Sequence, residues 1–570
     1  MGTSPQPARP AQASPSAFSG AQYLMGLQVF VRLTTFAMNT LVVYIAGRQA
    51  FGVASVRFEL LLSTILFLSR EGLRNALLRV KGAGNTEPGG TDKGIDLTRR
   101  PPRQDQYIIN VALVPIGVGM AVAGCLYMLY ARGSSPGPGT VHAGGVPYYR
   151  RSLEMYIVAA WIELWVEPLY VLSRARVLFK LQAQCEGIAV FCRCATVVLV
   201  LLAGRSAGSS PGENAFRLVA FAAGQMAYSA AILVAYICYM SGQLAYPVWM
   251  CYVPRKAASD GNPEPGGIGS IAATFIGQSL LKHFLTQGDS MVMARFATSD
   301  EMGIFALVSN YGSIPARIIF LPLEEASRAV FSPLAPTKLA PDAGSSAATK
   351  SNHRTNALQA KHVLLTLGKL QFLLGTMLVV FGTLYSPALM ALLGQGDQAA
   401  ARALAAYCLY LPFTGLNGFL EAFVHSVGSG PQLLRSNACM AGFTVVYMAA
   451  AVLALHRFGL GSTGIILANM LNMALRIAYS KVFASRWFGQ LGIDNLRFTG
   501  MLPHPAVVGS CFVSGAVTVL VPNLVGKLHP LYMLALGGGL AAAVLATIWR
   551  YEQAFIRSVV GLRSGHQKTE

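Results

Sequence analysis

The chain has 570 residues, 54% of them hydrophobic and 12% charged, with a mean hydropathy of +0.49. A soluble globular chain carries about 25% charged residues, so this composition excludes a soluble domain and points to an integral membrane protein. The formal net charge of +20 would suit nucleic acid, but basic residues concentrated in loops between apolar spans reflect membrane topology instead.

Residues 1–20 are rich in Pro, Ala and Ser and carry no cleavable signal pattern, so they read as a disordered tail, with the first span acting as signal anchor. A span needs about 20 apolar residues. By that rule roughly fourteen follow, centred near Phe36, Ile65, Gly117, Ile162, Val197, Ile232, Leu285, Ile314, Leu374, Phe413, Tyr447, Asn472, Ser514 and Gly539. The even-numbered connections hold most of the cations, which places both termini in the cytosol. The expectation is an all-α, polytopic membrane protein. Three stretches read as flexible connections, Lys81–Arg103, Pro254–Gly269 and Pro333–Asn356, because Gly, Pro, Ser and charged residues dominate them.

Charges inside spans are costly and normally face a bundle interior or a wet cavity. Span one carries Arg32. Span two, GVASVRFELLLSTILFLSREGLRNA, carries Arg57, Glu59, Arg70, Glu71 and Arg74, and Glu71 can pair with Arg74 at i,i+3. Span four contains Glu163 and Glu167 one turn apart, followed by Pro168, which frees a backbone carbonyl. The two carboxylates suit a proton or sodium site, hydrogen bonds from sugar hydroxyls, or partners for neighbouring arginines.

Span seven carries Lys282, His283, Asp289 and Arg295. Span eight carries Arg317 between Pro315 and Pro322, which predicts a bent helix. Lys369 and Glu421, in spans nine and ten, are candidates for a buried pair. In span twelve Asn469, Asn472 and Arg476 share a face that reads as interhelical glue. The nine cysteines fall mostly inside apolar spans and read as small buried residues, with no metal site. No phosphate-cradling Gly-rich motif occurs, so ATP does not drive work within this chain, and no cofactor is expected.

Span eight ends as span two does: Arg70-Glu71-x-x-Arg74 is echoed by Glu324-Glu325-x-x-Arg328. The echo predicts two parallel six-helix lobes, 21–240 and 270–488, joined by a linker at 241–269. Two extra helices (489–550) and a cytosolic tail (551–570) follow. Glu71, Arg74, Glu324, Glu325 and Arg328 read either as interfacial pairs or as a gate or lobe clasp. The cationic excess on spans one, two, seven and eight predicts an anionic head group, for which arginine supplies a planar two-pronged donor.

Several of these segments resemble the Rft family of eukaryotic endoplasmic reticulum proteins, associated with translocation of dolichol-diphosphate-linked oligosaccharide. They include FVRLTTFAMNT, GVASVRFELLLSTILFLSREGLRNAL, ELWVEPLYVL, ARIIFLPLEEASRAVF and GSTGIILANMLNMALRIAYS, spread from about Gln28 to Arg486. The resemblance implies two helical lobes around a central cavity, as in multidrug extruders and bacterial lipid-linked precursor flippases. It also implies that Arg32, Arg57, Arg70 and Arg317 engage a diphosphate. Lys282, Glu163 and Glu167 complete the expected substrate-binding set.

The function expected is movement of the mannose-rich oligosaccharide-diphosphate-dolichol intermediate from cytosolic to lumenal leaflet for protein N-glycosylation, without enzymatic chemistry. The expected partners are that lipid and the bilayer. Two readings compete: a non-transporting accessory protein of the same pathway, and an ion-coupled multidrug-type antiporter.

Overall fold

The computed structural model describes residues 40–83, 103–132, 148–176, 178–206, 213–244, 246–255, 266–334, 347–493, 498–525, 529–553 and 555–557. Among them regular structure is entirely helical, as hydrogen-bond accounting in lipid requires: a helix satisfies its own backbone groups. Nine helices among the described residues are long and apolar enough to span a membrane, ten if a bent pair counts as one span. Thirteen of the fourteen expected centres fall on described helices; the span around Phe36 lies mostly outside the described residues.

The chain divides into two units. The first holds helices α2 (Glu59–Ala83, from Leu62 on), α3 (Arg103–Arg132), α4 (Tyr149–Leu164), α5 (Glu167–Ala175), α6 (Phe179–Ser206) and α7 (Glu213–Ser241), and α3, α5, α6 and α7 share one core. That core is built from Ile109, Leu169, Leu172, Cys185, Ile232 and Tyr236. Span four is interrupted: α4 stops at Leu164, and α5 restarts at Glu167 with Pro168 in its first turn.

The second unit holds α1 (Arg48–Gly52), α8 (Gly266–Phe296, from Gln278 on), α9 (Ser299–Gly312), α10 (Leu321–Leu334), α11 (Ala347–Leu392) and α12 (Gln398–Val427). It continues through α13 (Gly430–His456), α14 (Gly461–Gln490), α15 (Pro505–Val525) and α16 (Pro530–Tyr551). Its aromatic core centres on Phe423, stacked on Phe488 at 5.5 Å and met edge-on by Trp487 at 5.4 Å and Phe331 at 5.3 Å.

Three expectations change. The segment Gly47–Leu61, assigned above to the first lobe, groups with the second unit, and the boundary between units falls inside α2. The reason is a backbone contact: Gly52 and Gly303 approach so closely that neither tolerates a Cβ. The stretch expected to be flexible up to Asn356 is helical from Ala347 onward. The two C-terminal helices are pinned to α11 through the Tyr385–Thr518 hydroxyl bond (2.8 Å) and the Lys369–Glu552 ion pair (2.6 Å). Lys369 therefore holds Glu552, and Glu421 instead faces His425 at 3.6 Å and Arg476 at 3.8 Å.

Candidate functional site

Two π-helical segments interrupt the helices that carry the echoed charges. Val53–Phe58 separates α1 from α2 and contains Arg57; Ala316–Phe320 separates α9 from α10 and contains Arg317. A π turn accommodates an extra residue at a cost in hydrogen-bond geometry and is retained mainly where function requires it. The second lies in the span bent by 43°, the bend predicted from Pro315 and Pro322. The first packs against α9, the helix that leads into the second. The Nε of Arg57 is buried without a hydrogen-bond partner among the described residues. Arg317 stands within electrostatic reach of Tyr407. Lys282 is exposed on α8, and Arg32 lies outside the described residues.

In the first unit the sequence-predicted charges meet as a two-rung ladder. Arg70 and Arg74 are one turn apart on α2, and Glu163 and Glu167 are one turn apart across the break between α4 and α5. Arg70 Nη1 donates to Glu163 Oε1 at 3.1 Å. Arg74 grips Glu167 with both Nε and Nη2, the latter at 2.6 Å, and its guanidinium lies 3.9 Å from the centroid of the Tyr170 ring. Glu163 and Glu167 are 7% and 1% exposed, so their charge is met by the arginines rather than by water. Of the alternatives open for these carboxylates, partnership with arginine is the one the geometry realises. Arg74 pairs across helices with a carboxylate that faces its bidentate fork, and Glu71 also lies within its electrostatic reach. Its echo differs: Arg328 pairs within its own helix with Glu324, Nη2 to Oε1 at 2.7 Å, and Glu325 is exposed.

A third charged cluster was not foreseen. Arg48, the first residue of α1, bonds Asp300 in the first turn of α9 at 2.7 Å and Asp397, the N-cap of α12, at 2.8 Å. Ser462, at the start of α14, donates to the carbonyl of Glu301 at 2.7 Å. Glu301 closes a capping box with Thr298. Four helix beginnings thus gather at one end of this unit. The available signal was capping chemistry at Thr298 and Asp397, but nothing local shows that Arg48 joins the two.

At the middle of α14, Arg476 reaches across to Glu421 and to Met440 Sδ at 3.1 Å, consistent with its reading as glue. Asp289 accepts from the backbone N–H of Ser290, and lies within electrostatic reach of Tyr407, Tyr410 and Tyr447.

These features define a helical membrane protein with the fold of lipid and drug flippases. The structure overlays the lipid II flippase MurJ in an inward closed conformation with a TM-score of 0.56 at 12% identity, covering 92% of this chain and 98% of that one. It overlays an inward-facing multidrug resistance MATE family transporter with a TM-score of 0.52 at 14% identity, covering 81% and 98%. Residues 16–562 match the family model described as Rft protein, and the chain belongs to that family. Among its relatives are proteins named Man(5)GlcNAc(2)-PP-dolichol translocation protein RFT1. That of Schizosaccharomyces pombe is 30% identical over 79% of this chain and 80% of its own length. That of Saccharomyces cerevisiae is 26% identical over 96% and 95%, and that of Xenopus tropicalis 28% over 87% of each.

Proposed function

We propose that this protein moves the mannose-rich oligosaccharide-diphosphate-dolichol lipid from the cytosolic to the lumenal leaflet of the endoplasmic reticulum membrane, where it serves protein N-glycosylation. The observation that carries the reading is membership of the Rft family across nearly the whole chain, together with relatives named for translocation of this lipid. It is a carrier rather than an enzyme, and both termini lie in the cytosol.

Within the candidate set, Arg57 and Arg317 are the residues that hold the diphosphate. Each sits on a π turn inside a span, and the buried Nε of Arg57 has a donor to offer. Arginine keeps its charge when desolvated and presents parallel donors to phosphate oxygens. Lys282 adds positive charge to the set, as does Arg32, which lies outside the described residues. Arg70, Arg74, Glu163 and Glu167 fix the helices of the first unit, and Glu71, Glu324, Glu325 and Arg328 mark the cytosolic ends of spans two and eight.

The test is reconstitution of the purified protein in vesicles containing the lipid-linked heptasaccharide. Leaflet exchange faster than in protein-free vesicles, and slowed by Arg57→Gln, is expected. Exchange no faster than without protein would favour an accessory role, and uptake of a cationic dye along a proton gradient would favour an antiporter.

A further inference from the structure

Between the first half of α13 and the second half of α14 lies an open cavity of about 580 Å³ that takes no part in the site described above. On α13, Arg435, Cys439 and Phe443 recur every four residues and line one wall. On α14, Tyr479, Val482, Arg486 and Trp487 line the other. A second cavity of about 590 Å³ continues along α14 past Lys481, Ser485 and Arg486.

The lining is graded. Arg435 is in the second turn of α13 and Arg486 near the last turn of α14, so both cations stand at the helix-terminal end. Further in, Phe443 and Leu475 make the walls apolar, and no acidic side chain lines either cavity. Among the described residues neither arginine has an ion-pair partner. Both arginines are exposed, and both line the concavity.

Two arginines beside a cavity with an apolar extension match a phosphate ester joined to hydrocarbon chains.

We propose that this groove binds an anionic glycerophospholipid of the bilayer as a resident ligand. Its phosphate lies between Arg435 and Arg486 and its acyl chains lie along Phe443 and Val482. Depth favours a bilayer lipid over the transported one: the cations sit at a helix end, where head groups reside, and basic pockets between helices at that depth select anionic head groups. A cargo phosphate needs donors deeper in the span.

The test is native mass spectrometry of the full-length protein offered equal amounts of phosphatidylserine and phosphatidylcholine with identical acyl chains. Several-fold preferential retention of phosphatidylserine is expected. The preference should vanish in Arg435→Gln/Arg486→Gln. Each single arginine variant should lower it while leaving the melting temperature in phosphatidylcholine unchanged. Equal retention of the two lipids would overturn the proposal, as would a preference that survives the double substitution. Displacement of phosphatidylserine by an equimolar polyprenyl diphosphate would overturn it too, by making the groove a cargo site. None of these outcomes depends on leaflet exchange.

Discussion

Gly52 and Gly303 meet backbone to backbone: a Cβ placed on Gly52 would stand 2.2 Å from the amide nitrogen of Gly303. A Cβ on Gly303 would lie 2.5 Å from the carbonyl oxygen of Arg48. The obstructing atoms in both cases are main chain, which cannot rotate away. Small residues at such crossings let helices approach closely in membranes, where van der Waals packing drives association.

Gly52→Ala and Gly303→Ala should therefore each destabilise the second unit by about 1–3 kcal/mol, the cost of overpacking a well-filled contact. Melting of the detergent-solubilised protein, followed by size-exclusion chromatography, reads the loss. Melting temperatures equal to wild type in both variants would show that the two helices separate freely.

The Arg–Glu ladder of the first unit makes a sharper prediction. Removing one partner of a buried pair leaves an uncompensated charge and costs about 3–5 kcal/mol, whereas replacing both by apolar residues is often close to neutral. Glu167→Ala should lower protein level and melting temperature strongly, and Arg74→Met/Glu167→Leu should recover much of the loss. Failure of the double variant to recover would mean that the ladder supplies more than charge neutralisation.

Arg57→Gln should behave in the opposite way. Losing a charged donor to phosphate costs about 1.5–3 kcal/mol, roughly a 10- to 150-fold loss of affinity, with little change in protein abundance. Glycosylation occupancy of a reporter, normalised to the level of the variant, separates this outcome from a folding defect. Normal occupancy would remove Arg57 from the proposed diphosphate site.

The Arg48 cluster is testable by pH. The backbone N–H of Ala399, and then Arg48, hold the Asp397 carboxyl below the usual carboxylate range. A depressed folded pKa contributes stability that is fully present above the unfolded value, near 3.9, and is lost as pH falls through the folded value. Melting temperature should thus be insensitive to this group between pH 7 and 5 and fall below about pH 4. Asp397→Asn retains a capping side chain but carries no titratable charge, so its melting curve should be flatter in that acid range. Identical acid slopes for the two proteins would refute the assignment.

How much of this could be read in advance follows from the range of each interaction. The spans were legible because lipid imposes length and hydropathy on each helix separately, and so was the bend at Pro315 and Pro322, which is a local backbone effect. The i,i+4 spacing of Glu163 and Glu167 marked them as one feature. That they answer Arg70 and Arg74 depended on two distant helices meeting in register. Arg48 with Asp300 and Asp397 was not legible at all, since each partner looks like an ordinary helix-end charge in its own segment; Lys369 stood out as a charge within a span, but nothing in that span pointed to Glu552 beyond the end of α16. The π turns were hidden for a different reason: an inserted residue changes hydrogen-bond register without altering composition.

The cluster at Arg48 also has a schedule. Its partners lie 252 and 349 residues downstream, and ribosomes add about 5–20 residues per second. Arg48 therefore waits on the order of tens of seconds after emerging before either carboxylate exists to receive it. Its own helix starts with no acidic residue in the first turn, so nothing nearby fixes that start in the meantime. The beginning of the second span is thus among the first parts of the protein to be made and among the last to be settled.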